Sequence, residues 1–123
     1  MLAETQNLWF EGNNFVANDK FLRRIHPDWL KQTGQISSAA FDNYRMSTNW
    51  MKLSSVEETL SGFENYGVAA VSANLCWSLK QKIESTPVEN NVAHCDIVGN
   101  KTESIKKKFR DGAEYLVLPK KLT

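Results

Sequence analysis

The spacing of hydrophobic and polar positions changes from segment to segment along the chain, and each spacing predicts an element. Phe21, Leu22 and Ile25 bracket Arg23 and Arg24 in a short run closed by His26-Pro27. A residue before proline is biased to extended backbone, so residues 20–26 read as a strand. Pro27 suits the first position of one helical turn through Trp29 and Leu30, ended by Thr33-Gly34. Residues 35–41 (QISSAAF) are too few for periodicity to choose between strand and helix. Met46 to Trp50 alternates apolar and polar, as a half-buried strand does. Ser54 with Glu57, or Ser55 with Glu58, forms a capping box, and Val56, Leu60 and Phe63 then recur as one apolar stripe. That pattern predicts a helix stopping near Gly67. Residues 67–75 (GVAAVSANL) are small and β-branched and read as a strand buried on both faces, continued by or paired with a stretch from Trp77 to Ile83. Residues 84–91, with Pro87, Asn90 and Asn91, read as a loop. Residues 93–98 form a strand broken at Gly99-Asn100. Asn100 with Glu103 caps a last helix that turns Ile105, Phe109 and Ala113 inward. Residues 115–118 form a final strand before Pro119.

The elements add up to an α+β fold. Five or six short strands make a mixed or mostly antiparallel sheet, with two main helices against it. Residues 20–119 form the single domain, residues 1–19 an N-terminal segment docking through Trp9 and Phe10, and residues 120–123 a basic tail.

A length of 123 residues allows one domain with a core of its own. Charge is balanced, 15 Lys and Arg against 14 Asp and Glu, which excludes a domain-wide basic field and disfavours nucleic acid as a partner. Residues 101–123 alone are basic, with seven cations against three carboxylates. No aromatic residues interleave on that helix face, so it reads as solvated rather than as a stacking platform. No apolar run is long enough for a membrane span, and the acidic, amide-rich start is unlike a signal peptide. Cys76 and Cys95 form no C-x-x-C pair, and His26 and His94 complete no finger spacing. No metal is expected, and the two cysteines read as reduced thiols of a cytoplasmic protein.

Enzyme motifs are missing: no glycine-rich phosphate loop, no H-E-x-x-H, no G-x-S-x-G. Cys95 beside His94 is no catalytic pair, because strand neighbours point to opposite faces. The remaining chemistry is polar residues set inside apolar segments. One of Arg23 and Arg24 must face inward and needs a partner, either a carboxylate such as Asp42 or Asp96 or an anionic ligand. Ser37 and Ser38, then Ser47 with Thr48 and Asn49, are hydroxyl and amide groups in extended segments, where bonds to nearby backbone compete with a ligand. Asn91 and His94 stand before and inside the strand 93–98, at the end of a turn-rich loop.

Together these blocks resemble a group of small single-domain bacterial proteins of uncharacterised function. The order is F-L-R-R-I-H-P-x-W (21–29), G-x-I-S-S-A-A-F (34–41), M-S-T-N-W (46–50), S-x-E-E-T-L (55–60), N-x-A-H (91–94) and I-V-G-x-K-T (97–102). The resemblance spans residues 20–119. It implies a free-standing cytoplasmic domain and makes the Arg23/Arg24, Ser37/Ser38, Ser47 and Asn91/His94 blocks candidates for a shared surface, with no activity or cofactor attached. The leading expectation is a non-enzymatic binding or interaction protein, with a protein partner or second copy docking on apolar surface near Trp9, Phe10 or Trp50. The alternative is a small enzyme or nucleotide-binding protein that holds a phosphate-bearing substrate through an Arg/Ser/His site.

Overall fold

In the computed structural model, which describes residues 15–121, alternation along β1 (Lys20–Ile25) sends Phe21 and Ile25 to one face of a sheet and Leu22 to the other. The other strands are β2 (Arg45–Trp50), β3 (Gly67–Ser72), β4 (Lys82–Ser85), β5 (His94–Val98) and β6 (Glu114–Val117). They form one six-stranded sheet in the order β4-β5-β2-β1-β3-β6, antiparallel throughout. Three helices, α1 (Val56–Leu60), α2 (Ala73–Ser78) and α3 (Glu103–Gly112), and 3-10 turns at Pro27–Trp29 and Ser38–Phe41 complete the chain. The expected docking of Trp9 and Phe10 lies outside the described residues.

The two faces of the sheet are covered unequally. Phe21, Ile25, Met46, Val71 and Ile97 pack with Phe41, Cys76 and Phe109, so α2, α3 and the second 3-10 turn lie on this side. Phe41 and Phe109 stack with centroids 6.0 Å apart. Leu22, Val68 and Ala70 face the other way and pack against Val56 and Leu60 of α1. Beyond α1 that second face is polar. The register sets Leu22 beside Asn49, Asn49 beside His94, Ser47 beside Asp96, and Asp96 beside Glu84, and cross-strand partners share a face. Arg45 binds Glu84 at 3.0 Å and Asp96 at 3.2 Å across the three strands.

Several elements differ from the sequence reading. The helix opened by the Ser55–Glu58 capping box ends at Leu60, not near Gly67, because Ser61 and Gly62 (φ +83°) turn the chain. Residues 67–75 are not one strand. The Ser72 hydroxyl accepts from the Leu75 N–H and starts α2 there. Trp77 therefore belongs to a helix, and the strand that follows, β4, pairs with β5 at the far edge of the sheet rather than with β3. Thr102, not Asn100, caps α3, its Oγ1 accepting from the Ile105 N–H. Asn100 instead offers its carbonyl to Gln81 Nε2. The undecided segment 35–41 contributes a bridge at Ile36 and then a 3-10 turn. Among the described residues no helix is long and apolar enough to cross a membrane.

Candidate functional site

The sheet forks between its two central strands. β1 and β2 pair at Phe21–Trp50 and Leu22–Asn49 and no further. Past that point the Arg23 guanidinium occupies the gap. Its Nε donates to Ala40 O at 3.0 Å, Nη1 to Ser47 O at 3.0 Å and Nη2 to Asn43 Oδ1 at 3.2 Å. Hydrogen bonds from a side chain thus replace a missing stretch of strand ladder. Trp29 lies under the same group, 5.7 Å from ring centroid to guanidinium carbon. Burial, helped by the charge of Arg24, lowers the Arg23 pKa to about 10, against a smaller lift from Asp42.

Arg24 points to the opposite face. Its guanidinium lies 3.9 Å over the Phe63 ring, and Nη1 donates to Thr59 O at 2.9 Å. An arginine has five N–H donors, and this is the one that finds an acceptor among the described residues. Burial lowers its pKa and nearby Tyr66 partly offsets that. Neither arginine forms an ion pair with a carboxylate among the described residues. The expected partners Asp42 and Asp96 do not fill that role. Asp96 is held by Arg45, and the inward arginine is satisfied mainly by carbonyls.

Thr59, buried at the end of α1, ties the fork together. Its carbonyl takes Arg24 and its hydroxyl accepts from Asn49 Nδ2 at 3.1 Å. Asn49 Oδ1 accepts in turn from Asn91 Nδ2 at 2.9 Å, and Asn91 Oδ1 accepts from the Ala93 N–H. His94 stands beside Asn49 on β5. Its Nδ1 lies 2.9 Å from Thr86 Oγ1 and 3.0 Å from Thr86 O, and its Nε2 lies 4.0 Å from Asp96 Oδ1.

The fork encloses a hollow of about 40 Å³ between residues 22–24 and residues 47–49, with His94 at its side. At Arg24 and Asn49 it adjoins a groove of about 280 Å³ between Leu53, Ser54 and Glu58 on one side and residues 90–92 on the other. Of the sequence candidates, Arg23, Arg24, Ser47 and His94 line the hollow, and Asn91 reaches it through Asn49. Ser37 and Ser38 stand apart from it. The Ser37 hydroxyl accepts from the Ala39 N–H and caps the 3-10 turn on the main-core side, where local backbone competes successfully for a serine. His26 is likewise a cap, its Nδ1 accepting from the Asp28 N–H. Trp50 is 4% exposed, so its own ring offers no docking surface.

Sequence reasoning missed Thr59 and Thr86. Asn49, named with Ser47 in the sequence, shares a face with it by the period of two. Both cysteines are free and buried, with burial pushing each thiol up to about 12. Neither supplies a thiolate nucleophile at neutral pH. The basic C-terminal helix is partly neutralised on its own surface, Lys106 by Glu103 and Arg110 by Asp111. Comparison with family models, curated proteins and solved structures finds no match to this chain.

Proposed function

We propose that the protein is a non-enzymatic binding module for a small ligand carrying an anionic group, which Arg24 receives where the hollow meets the groove. One observation carries this reading. The Arg24 guanidinium lies 3.9 Å over the Phe63 ring, is held by Thr59 O, and is uncommitted to any carboxylate among the described residues. Such a group keeps its planar fork of donors oriented before a ligand arrives, which reduces the ordering cost of binding. The neighbouring polar side chains add donors: the second N–H of Asn49 Nδ2 and of Asn91 Nδ2. Size restricts the ligand. A hollow of about 40 Å³ takes one group the size of a water molecule, which occupies about 30 Å³ in the liquid. The 280 Å³ groove lies at the small end of ligand sites, usually about 300–1,000 Å³. A small acid suits these volumes better than a nucleotide. The bacterial cytoplasm implied by the resemblance accords with two free, buried thiols.

A second reading, a small enzyme, draws support from His94. Thr86 fixes its Nδ1, and the ring lines the hollow beside Ser47, an arrangement suited to proton transfer at Nε2. The readings separate in one experiment. Amide and side-chain NMR shifts are followed during titration with acetate and with inorganic phosphate. The binding reading expects saturable shifts at Arg24, Asn49 and Thr59 that vanish in Arg24→Met and persist in His94→Gln. Absence of saturable shifts with both anions overturns the anion site. Shifts that vanish in His94→Gln but survive in Arg24→Met would transfer the leading role to the histidine.

A further inference from the structure

The groove beside Arg24 is lined mostly by polar groups, but two apolar side chains in it are left unused by the anion reading. Leu53, after β2, and Val92, before β5, line it from opposite sides while remaining 43% and 51% exposed. Large aliphatic side chains left this open beside an uncommitted guanidinium suit a ligand with two ends. We infer that the groove binds a monocarboxylate bearing a short branched aliphatic chain, with the carboxylate on Arg24 and the chain between Leu53 and Val92. This rests on the anion site proposed above and names its ligand class.

Three features select the class. First, Arg24 offers a planar fork, which a carboxylate matches in a bidentate way. Second, Glu58 lines the same groove, one carboxylate oxygen accepting from the Ser55 N–H in the capping box. One arginine and one glutamate leave the groove without net charge, so a monoanion is better accommodated than a dianionic phosphate. Third, a volume of about 280 Å³ lies just below the usual range of about 300–1,000 Å³ for ligand sites and restricts the ligand to a small acid. Asn49 Nδ2 and Asn91 Nδ2, both on residues of the groove lining, each spend one N–H within the protein, on Thr59 Oγ1 and Asn49 Oδ1, and each keeps a second. The same chemistry is found in a free branched-chain acid and in the C-terminal residue of a peptide ending in leucine.

Calorimetric or NMR titration of the full chain with 4-methylpentanoate, acetate, 4-methylpentanamide and phosphate tests this assignment. Acetyl-glycyl-leucine with a free carboxylate is run in parallel, and whichever leucine-like probe binds more tightly identifies the source as free acid or peptide terminus. The expected order places 4-methylpentanoate about tenfold tighter than acetate, because burying roughly two further CH2 equivalents is worth one factor of ten. The amide should bind weakly. Leu53→Ser and Val92→Ser change exposed side chains and leave the fold intact. Each should reduce the preference for the longer acid severalfold while acetate binding stays unchanged. An amide that binds as well as the acid overturns the inference, as does a chain preference that survives both serine substitutions. If acetate and phosphate bind through Arg24 but chain length makes no difference, the aliphatic assignment fails and the anion site stands. If no anion binds, both fail together.

Discussion

Replacing Arg23 should destabilise the protein far more than replacing its neighbour Arg24, although both are partly buried and adjacent in sequence. Arg23→Met keeps most of the aliphatic stem and removes the head. Ala40 O, a partly buried acceptor, then loses its donor, at about 1–3 kcal/mol. Ser47 O and Asn43 Oδ1 lie at more exposed bonds and recover water, with a loss of about 0.5 kcal/mol each. The contact with Trp29 adds about 0.5 kcal/mol. Relief of a desolvated charge offsets about 1 kcal/mol. The net is about 2–3 kcal/mol. An unfolding entropy near 2.1 cal/mol/K per residue, over a chain of 123 residues, converts this to a fall in Tm of about 10 °C. Arg24→Met loses one hydrogen bond and exchanges a guanidinium for a thioether on Phe63, about 1 kcal/mol or 4 °C. Arg23→Lys should recover less than half of the loss, since one ammonium cannot span three acceptors set around a planar fork. Thermal and urea unfolding followed by circular dichroism provide the comparison. Equal shifts for the two methionine variants, or a larger one for Arg24, would refute the bridging role of Arg23.

Two further predictions follow from buried ionisable groups. The Lys101 ammonium donates to Tyr44 O, Ile97 O and Gly99 O, and burial lowers its pKa from 10.5 to about 8. The unfolded lysine keeps its proton until near 10.5, so unfolding takes up a proton between those values and the Lys101 contribution to stability rises with pH across that window. The difference in unfolding free energy between the protein and Lys101→Met should therefore grow from pH 8 to pH 10, and a flat or falling difference contradicts it. Cys76 and Cys95, both buried with thiols pushed up to about 12, should resist a disulfide-exchange reagent at pH 8 in the native protein and react fully in denaturant. Rapid native reaction of either would show an exposed thiol.

Where a local pattern decides structure, the sequence was readable. β1 follows from the run closed at Pro27, β2 from alternation, β5 from the segment stopped at Gly99, the start of α1 from Ser55 and Glu58, and the buried face of α3 from Ile105, Phe109 and Ala113. The segment GVAAVSANL misleads because its small residues carry no period, and a single hydroxyl at Ser72 turns strand into helix. The far-edge position of β4 was equally hidden, since its pairing with β5 depends on which neighbour is free once β3 is enclosed by β1 and β6. The site divides in the same way. Arg23, Arg24, Ser47, Asn91 and His94 stood out as polar residues in apolar segments. Ser37 and Ser38 stood out for the same reason, yet one of them caps a turn elsewhere. Thr59 gave no signal, because its role as acceptor for Arg24 and Asn49 depends on where α1 crosses the sheet.

The adjacent arginines explain why the fork can exist at all. Strand alternation sends neighbouring side chains to opposite faces, so one dipeptide can serve two tasks without the two charges competing for one partner. Arg23, on the face with the large core, satisfies the Ser47 carbonyl of β2 together with Ala40 O of the 3-10 turn. β1 and β2 thus separate with the Ser47 carbonyl of β2 still paired. Arg24, on the face covered only by α1, emerges at the opening so created and rests on Phe63. Loss of Arg24 should thus remove anion binding with the sheet intact, whereas loss of Arg23 should loosen the hollow and weaken binding indirectly. The order matters too. Exchanging the pair's roles would require the sheet to shift by one residue, which would also turn Phe21 and Ile25 out of the core. The hydrophobic pattern of β1 therefore fixes which arginine supports the fold and which faces the groove.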